Sequence, residues 1–568
     1  MALFKIDYNS NSFTKLTVIS LSKNSIFESN EEKSIFFSNK PLFYSNHKFE
    51  TIVINPDFEL ENFHNTIQNN VSAFSFSKNN IFFSSSRFTR SKWHYIEKKS
   101  TVFFADNIWE LIPYSKKSLN KVSTLSIIKF GETSELSNVI TDINCIPVSC
   151  SQTIRIKNNK LCFQNPKQYF QLNYNFSGGD ILKTQNILDS ICEYISKEDI
   201  VMPISGGIDS TLLNHRINSF RDSSYPAYFV QFGNDDPETE FAKQAVINSK
   251  AELQIVNMES SDFIEAFDYQ TSHLRSPIGE SSAIPLAHFF RQNNFENKTI
   301  IDGTLADGCY GSMNYNKNLF EGISKQAKFK QILNEKIAAY LQLNNKKGQF
   351  KFFPRDAYIK DDFLKFMNVY VGPLSNYLFK GAKKLNSQLE KEWLWYYNLI
   401  NWNTEKLDTT DIEWLKYTIF KMIGYASRVT TAKVEDLSMN NKVEYPFIWL
   451  EILNDQCKYS WKEKTNQNTV KFPLKKILEQ HKSNDFIYRK KVGLNNAVPV
   501  WMNEKKNSDY LIDILLRDRA IIEELIGKKN INLIIKRFKQ LPSHSNINNL
   551  ILTLASLSDW CYKNKITI

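Results

Sequence analysis

The chain has 568 residues, of which 42% are hydrophobic and 14% aromatic; this excludes a disordered protein and calls for two or three domains. Its 71 basic and 60 acidic residues leave a net charge of +11, but the densest runs, Lys380-Gly-Ala-Lys383-Lys384 and Arg489-Lys490-Lys491, are short, so a solvated surface explains the surplus better than a nucleic-acid footprint. Seven cysteines without a C-x-x-C pair, and eight dispersed histidines, argue against a disulfide framework or a zinc site. The N-terminus carries no basic-then-apolar signal, and no apolar run approaches the roughly 18 residues of a membrane span, so a cytoplasmic protein without a membrane partner is expected.

Residues 1–175 read as β-rich. Short runs such as Phe13–Ser20, Thr51–Ile54 and Asn80–Phe83 alternate with turns that Asn and Ser must make, because Gly is almost missing there. Phe176-Ser-Gly-Gly-Asp180 reads as a linker. Beyond it, Ile181, Leu182, Ile187, Leu188, Ile191 and Ile195 are expected to form one apolar helical face. A strand then leads into Ser205-Gly206-Gly207-Ile208-Asp209-Ser210, followed by a helix, and Tyr228–Phe232 is a second strand. Asn297–Asp302 is a third, ending in Gly303-Thr304-Leu305-Ala306-Asp307-Gly308-Cys309-Tyr310-Gly311. This β-loop-α-β alternation predicts a parallel sheet with ligands at the carboxyl ends of its strands. From 318 to 430 the pattern is helical and aromatic-rich, and Trp393-Leu-Trp-Tyr-Tyr397 reads as core packing, not a base-stacking surface. The last 60 residues are helical as well.

The loop Ser205–Ser210 is the informative segment. Two glycines, Gly206 and Gly207, let the backbone approach a phosphate and turn N–H groups inward. Ser205 and Ser210 add hydroxyl donors, and the following helix offers its positive N-terminal end. Asp209 would repel phosphate unless a cation lay between, which points to ATP with Mg2+ and to cleavage between the α and β phosphates. The lysine-bearing loop G-x-x-x-x-G-K-[ST] is absent.

Over nearly its whole length the chain resembles the asparagine-synthetase family, in which a glutaminase domain precedes a synthetase domain carrying S-G-G-x-D-S. The stretch Gly303–Gly311 is similar to that family's G-E-G-A-D-E-L-F-G-G, Val443-Glu-Tyr-Pro446-Phe447-Ile to its E-x-R-x-P-F-L-D, and Arg489-Lys-Lys491-Val-Gly493-Leu with Pro499 and Trp501 to its R-x-K-x-G-F followed by P and W. The resemblance implies an N-terminal Ntn-hydrolase-like domain (1–175) and an α/β PP-loop domain (179–568). The latter would comprise a nucleotide-binding core (179–317), a helical region (318–430) and a C-terminal closing region (431–568). It also implies that Asp307 supplies a second Mg2+ ligand beside Asp209 and that Lys491 reaches the α-phosphate. Val230 would face the adenine, and Gly303 would line the ATP site.

The departures are informative. Glutaminase activity in the family needs a cysteine after the initiator methionine; here that residue is Ala2, so the N-terminal domain is expected to act as a scaffold or lid. Thr304 stands at the catalytic position where asparagine synthetases carry a Glu that helps deprotonate the amine, and Thr is a poor base. Gly308 replaces another Glu, and Trp449 replaces the closing Asp of P-F-L-D. These features imply a synthetase that adenylates a substrate carboxylate, releases pyrophosphate, and joins the carboxylate to an amine whose nitrogen comes from a source other than glutamine. Lasso-peptide cyclases, which act on a precursor peptide alongside a companion protease, fit that description. Small-molecule or β-lactam-type synthetases fit it too. A silent nucleotide-binding scaffold and an RNA-modifying PP-loop enzyme are the remaining alternatives.

Overall fold

The computed structural model describes residues 2–9, 12–45, 48–50, 54, 58–88, 92–157, 160–233, 235–311, 382–401, 415, 428–439, 441–466, 469–489, 497–540 and 545–567. Of the expected strand Thr51–Ile54 all but Ile54, most of the region 318–430, and Lys491 with its loop lie outside these residues.

The N-terminal part is a sandwich of two antiparallel sheets. One joins β1 (Leu3–Tyr8), β2 (Phe13–Ser20), β9 (His94–Lys98), β10 (Thr101–Ala105) and β11 (Asn144–Cys145) in the order β11-β9-β10-β1-β2. The other joins β3 (Ile26–Ser29), β4 (Lys33–Phe37), β7 (Ala73–Ser77), β8 (Asn80–Ser84), β12 (Cys150–Lys157) and β13 (Lys160–Phe163) in the order β13-β12-β8-β7-β4-β3, with β14 (Lys167–Gln168) on β12. Between β4 and β7, β5 (Phe43–Ser45) and β6 (Lys48–Glu50) form a separate hairpin. Alternate side chains of the facing strands meet in an aromatic core: Phe4 lies edge-on to Phe74 at 4.7 Å and Phe83 stacks on Phe104 at 4.6 Å. Ala2 is fully buried at the edge of this core, and its N–H donates to Asp106 Oδ1 at 2.8 Å.

The linker residues preceding Asp180 are irregular, and Asp180 caps the helix Ile181–Ile195 by accepting the N–H groups of Leu182 (2.9 Å) and Lys183 (3.2 Å). The buried face of this helix is Thr184, Ile187, Leu188, Ile191, Cys192 and Ile195. Leu182 does not belong to it, contrary to expectation, and is 64% exposed. At 3.6 residues per turn it points roughly 120° away from Leu188.

The second half is built on a five-stranded parallel sheet, β17 (Ala251–Met258), β16 (Tyr225–Phe232), β15 (Ile200–Pro203), β18 (Thr299–Ile301) and β19 (Lys442–Glu444), in that spatial order. The chain leaves β15 for β16 on one side and returns as β18 on the other. The carboxyl end of β15 is therefore a topological switch point, where such sheets open a crevice for ligands. Helices cover both faces, and four more, Lys505–Arg517, Arg519–Ile526, Lys528–Gln540 and Ser545–Asn564, close the chain. No helix among the described residues is long and apolar enough to cross a membrane.

The two halves are knitted together by buried groups. Trp393 is fully buried, packs on Phe130 at 4.6 Å and donates from Nε1 to Ser126 Oγ at 3.0 Å, so it is a core residue as its sequence context predicted. Ser276 Oγ donates to Glu132 Oε1 at 3.0 Å, and Arg275 pairs with Asp436 at 2.8 Å just behind it. Trp449, at the position of the family's Asp, is buried against Phe49, 4.7 Å away and edge-on. A side chain held in that way serves packing.

Candidate active site

Strand β15 is apolar because it is buried on both faces, and the chain turns immediately after it. Ile204 N–H donates to Tyr228 O at 2.7 Å, the last sheet-like bond before the loop. Gly206 adopts φ +66°, and a Cβ there would lie 2.8 Å from the Phe241 carbonyl carbon and 2.9 Å from Ala242 N. Only glycine satisfies both constraints. Gly207 then caps the helix Ile208–Asn218, whose first turn carries Asp209. Ser205 and Ser210 face each other across the loop. Ser205 N–H donates to Ser210 Oγ, and Gly207 N–H to Ser205 Oγ, both at 3.3 Å, near the long limit for a hydrogen bond.

Behind this loop stands Arg489, the first residue of the fourth sequence landmark. Its guanidinium donates to Gly206 O (3.2 Å), pairs with Glu238 (2.8 Å) and lies 3.6 Å over the Phe241 ring. It fixes the loop from outside.

The second loop follows β18. Asp302 N–H donates to Glu444 O at 3.0 Å, continuing the sheet, and Gly303 brings this loop against the first: a Cβ there would be 3.2 Å from Asp209 Cβ. Leu305, where the family has Gly, takes φ +77° and starts the short helix Ala306–Tyr310, which holds Asp307 in its first turn. Gly308 is buried within that helix.

The tertiary structure brings Asp209 and Asp307 to one point, and the group that joins them is Lys471. Its Nζ is 2.6 Å from Asp209 Oδ2 and 2.5 Å from Asp307 Oδ1, and its side chain is 9% exposed. Burial works to lower the Lys471 pKa, but the two carboxylates outweigh it and raise the value above that of a free lysine. The sequence reading placed Asp209 in the loop; it sits in the first turn of the helix that follows, 24% exposed and ion-paired. Lys471 escaped the sequence reading because one lysine among many carries no local signal. Its left-handed backbone, φ +56° ahead of the helix Phe472–Leu478, is a constraint visible only in the fold.

A divalent cation could be held at this point, since both carboxylates already converge on a single positive charge. Among the described residues no group of three or more His, Cys, Asp or Glu side chains could hold a metal. Two carboxylates suffice for Mg2+, which usually takes one or two from protein and the rest of its shell from water and phosphate.

A cavity of about 450 Å³ opens from these loops along the carboxyl ends of the strands. Val230, Tyr228 and Phe232 of β16 line one wall, Ser205, Asp209, Ser210, Gly303, Thr304 and Asp307 its phosphate-facing rim. Polar side chains of Glu280, Ser282, Asp302 and Lys433 line it as well. A larger cavity of about 520 Å³ lies at the opposite, amino-terminal ends of β18 and β19, around Glu198, Lys298 and Lys442. The smaller one is the candidate site, because it alone contains the phosphate loop and the switch point.

The fold and site together define a PP-loop α/β protein with an N-terminal antiparallel sandwich. The asparagine synthase family model matches residues 194–561, and the chain belongs to that family. The match takes in β15 and its loop, the Asp307 loop, Lys433, Lys471 and Arg489. No curated protein matches the chain. Family membership makes the protein an ATP-dependent carbon–nitrogen ligase in general terms.

Proposed function

We propose that the protein activates a substrate carboxylate by adenylation, releasing pyrophosphate, and then joins it to an amine that does not come from glutamine. The observation that carries this reading is the convergence of Asp209, Asp307 and Lys471 at the mouth of the Ser205–Ser210 loop. Three jobs follow for the chain's own residues. The N–H groups and hydroxyls of the loop, held by long mutual hydrogen bonds, turn to the departing pyrophosphate. Lys471 supplies positive charge to offset the negative charge that gathers on the phosphate oxygens, and Lys491 is assigned the same task at the α-phosphate. Val230 and its neighbours receive the adenine. Bound Mg2+, held by Asp209 and Asp307, would neutralise charge on the leaving pyrophosphate.

The amine source rests on Ala2. A methyl group replaces the thiol that a glutaminase needs, and it is buried with its N–H bonded to Asp106. With no ammonia supply of that kind, the acceptor brings its own nitrogen. A peptide whose terminal amine attacks its own activated Asp or Glu is the preferred substrate class, as in lasso-peptide cyclisation. A small molecule carrying both groups is the second.

The test is release of AMP and pyrophosphate from Mg-ATP with free aspartate and glutamate, and with short peptides bearing an internal Asp or Glu. Wild type should form AMP with one class only, and Asp209→Asn should form none. ADP as the product, or equal turnover by the variant, would overturn the assignment.

A further inference from the structure

Thr304 leaves the amine without the base that Glu supplies elsewhere in the family, yet a carboxylate stands two residues earlier on the same loop. Asp302 lines the cavity together with Glu280, Ser282 and Lys433. Thr304 does not compete for the role of base; it orients one. Its backbone N–H donates to Asp302 Oδ1 at 2.8 Å, and its hydroxyl adds a second bond to the same carboxylate. Lys433, on the helix Arg428–Leu437 and 3% exposed, pairs with Glu280 and lies 2.5 Å from Ser282 Oγ, and its charge is felt at Asp302. One lysine thus stands against two carboxylates, so the group carries one net negative charge with Asp302 ionised and none once Asp302 takes a proton.

We infer that Asp302 is the general base of amide formation and that the polar group lining the cavity, Asp302 with Glu280 and Lys433, receives the primary amine. This rests on the adenylation reading above. In the step, the amine lone pair forms the new C–N bond, the C–O bond to the phosphate breaks, and its electron pair leaves with AMP. The proton shed by nitrogen passes to an Asp302 oxygen, which brings the cluster to neutrality and later returns the proton to solvent. Burial raises the Asp302 pKa, against the lowering effect of the Thr304 bonds and of Lys433, and so favours a carboxylate that accepts a proton. The cluster also bears on specificity: two carboxylates against one lysine favour a primary amine and disfavour an anionic acceptor.

Asp302→Asn is the discriminating variant, because an amide oxygen accepts the Thr304 N–H as a carboxylate does, so the turn is preserved while the basicity is lost. The experiment separates the half-reactions: ATP–pyrophosphate exchange reports adenylation, and amide formation reports aminolysis, each with aspartate, glutamate or Asp/Glu-bearing peptides as carboxylate. Asp302→Asn should keep exchange within about twofold and lose amide formation by roughly 10²–10³-fold. Hydroxylamine, unprotonated at neutral pH and strongly nucleophilic, should still yield hydroxamate at the wild-type rate. Amide formation at the wild-type rate by Asp302→Asn overturns the inference. If that variant loses exchange as well, Asp302→Glu decides: retained exchange with slowed amide formation supports the base, and an unchanged amide rate overturns it.

Absence of exchange in wild type would refute the adenylation reading instead. The amine subsite then stands or falls on methylammonium chloride, titrated against sodium chloride at equal ionic strength in the presence of Mg2+ and a non-hydrolysable ATP analogue. A saturable rise in melting temperature, present in wild type and lost in Asp302→Asn, supports the subsite; no rise in wild type, or the same rise in both, overturns it.

Discussion

Replacing Lys471 by Met tests the central ion cluster most directly. The Lys471 side chain is 9% exposed, and its ammonium bridges Asp209 and Asp307 at 2.6 and 2.5 Å. Removing one partner of a buried ion pair typically costs about 3–5 kcal/mol, because the other charge is left uncompensated. Asp307, however, is 46% exposed, so water screens it and its share resembles a surface pair, worth at most about 1 kcal/mol. Asp209, 24% exposed, carries most of the loss. Methionine also fills the volume of the lysine stem, so the net cost should fall near the lower bound, about 3 kcal/mol. The assay is urea unfolding in EDTA and again in millimolar Mg2+. In wild type a metal must displace Lys471; in the variant the lysine charge is gone and the two carboxylates repel each other. Mg2+ should therefore restore much of the lost stability in Lys471→Met and shift wild type far less. A variant as stable as wild type in EDTA, or an equal Mg2+ response in both, would refute the reasoning.

Gly206→Ala should cost about 1–3 kcal/mol and abolish AMP formation, since the methyl group would meet Phe241 and Ala242 backbone atoms at 2.8–2.9 Å in a left-handed conformation; a normal melting temperature with normal turnover would contradict this. Leu305→Gly relieves a positive φ worth about 1 kcal/mol, but it also strips a side chain only 5% exposed, worth about 2–5 kcal/mol. Burial wins, so urea unfolding should show a net loss of roughly 2 kcal/mol, and a gain would show that strain dominates. Burial lowers the Lys464 pKa to about 8. Above that pH the folded state binds fewer protons here than the unfolded state, whose lysine stays charged to about 10.4. Stability should therefore rise between these values, by on the order of 3 kcal/mol, and Lys464→Met should remove that slope; identical pH profiles for both proteins would contradict the assignment.

The nucleotide loop was legible because its chemistry is contiguous. Ser205 to Ser210 spans one turn, and the requirement for glycine at φ +66° is local enough to leave its mark in the sequence. The strands β15, β16 and β18 were legible for the same reason, since burial between helices writes a short apolar run. The extent of the helix Ile181–Ile195 follows from its apolar spacing, but the position of Leu182 does not, because an apolar residue near a helix start need not face the core. The approach of Asp307 to Asp209 was expected only through resemblance to a family.

What the tertiary structure alone decided are the partners of those residues. Lys471 lies 262 positions from Asp209, Arg489 283 positions from Gly206, and Lys433 153 positions from Glu280. Lysines abound in this chain, and nothing in the immediate sequence of Lys471 or Lys433 distinguishes one that closes a long loop onto a carboxylate; Arg489 stood in a recognisable motif, but its partners were not legible there. Periodicity and turn chemistry act over a few residues, so the sequence by itself determined the sheet, its phosphate loop and the class of chemistry. Ion pairing across the crevice depends on where distant segments meet, which only the packed fold specifies: that is how Lys433 came to stand beside Glu280, with its charge felt at Asp302.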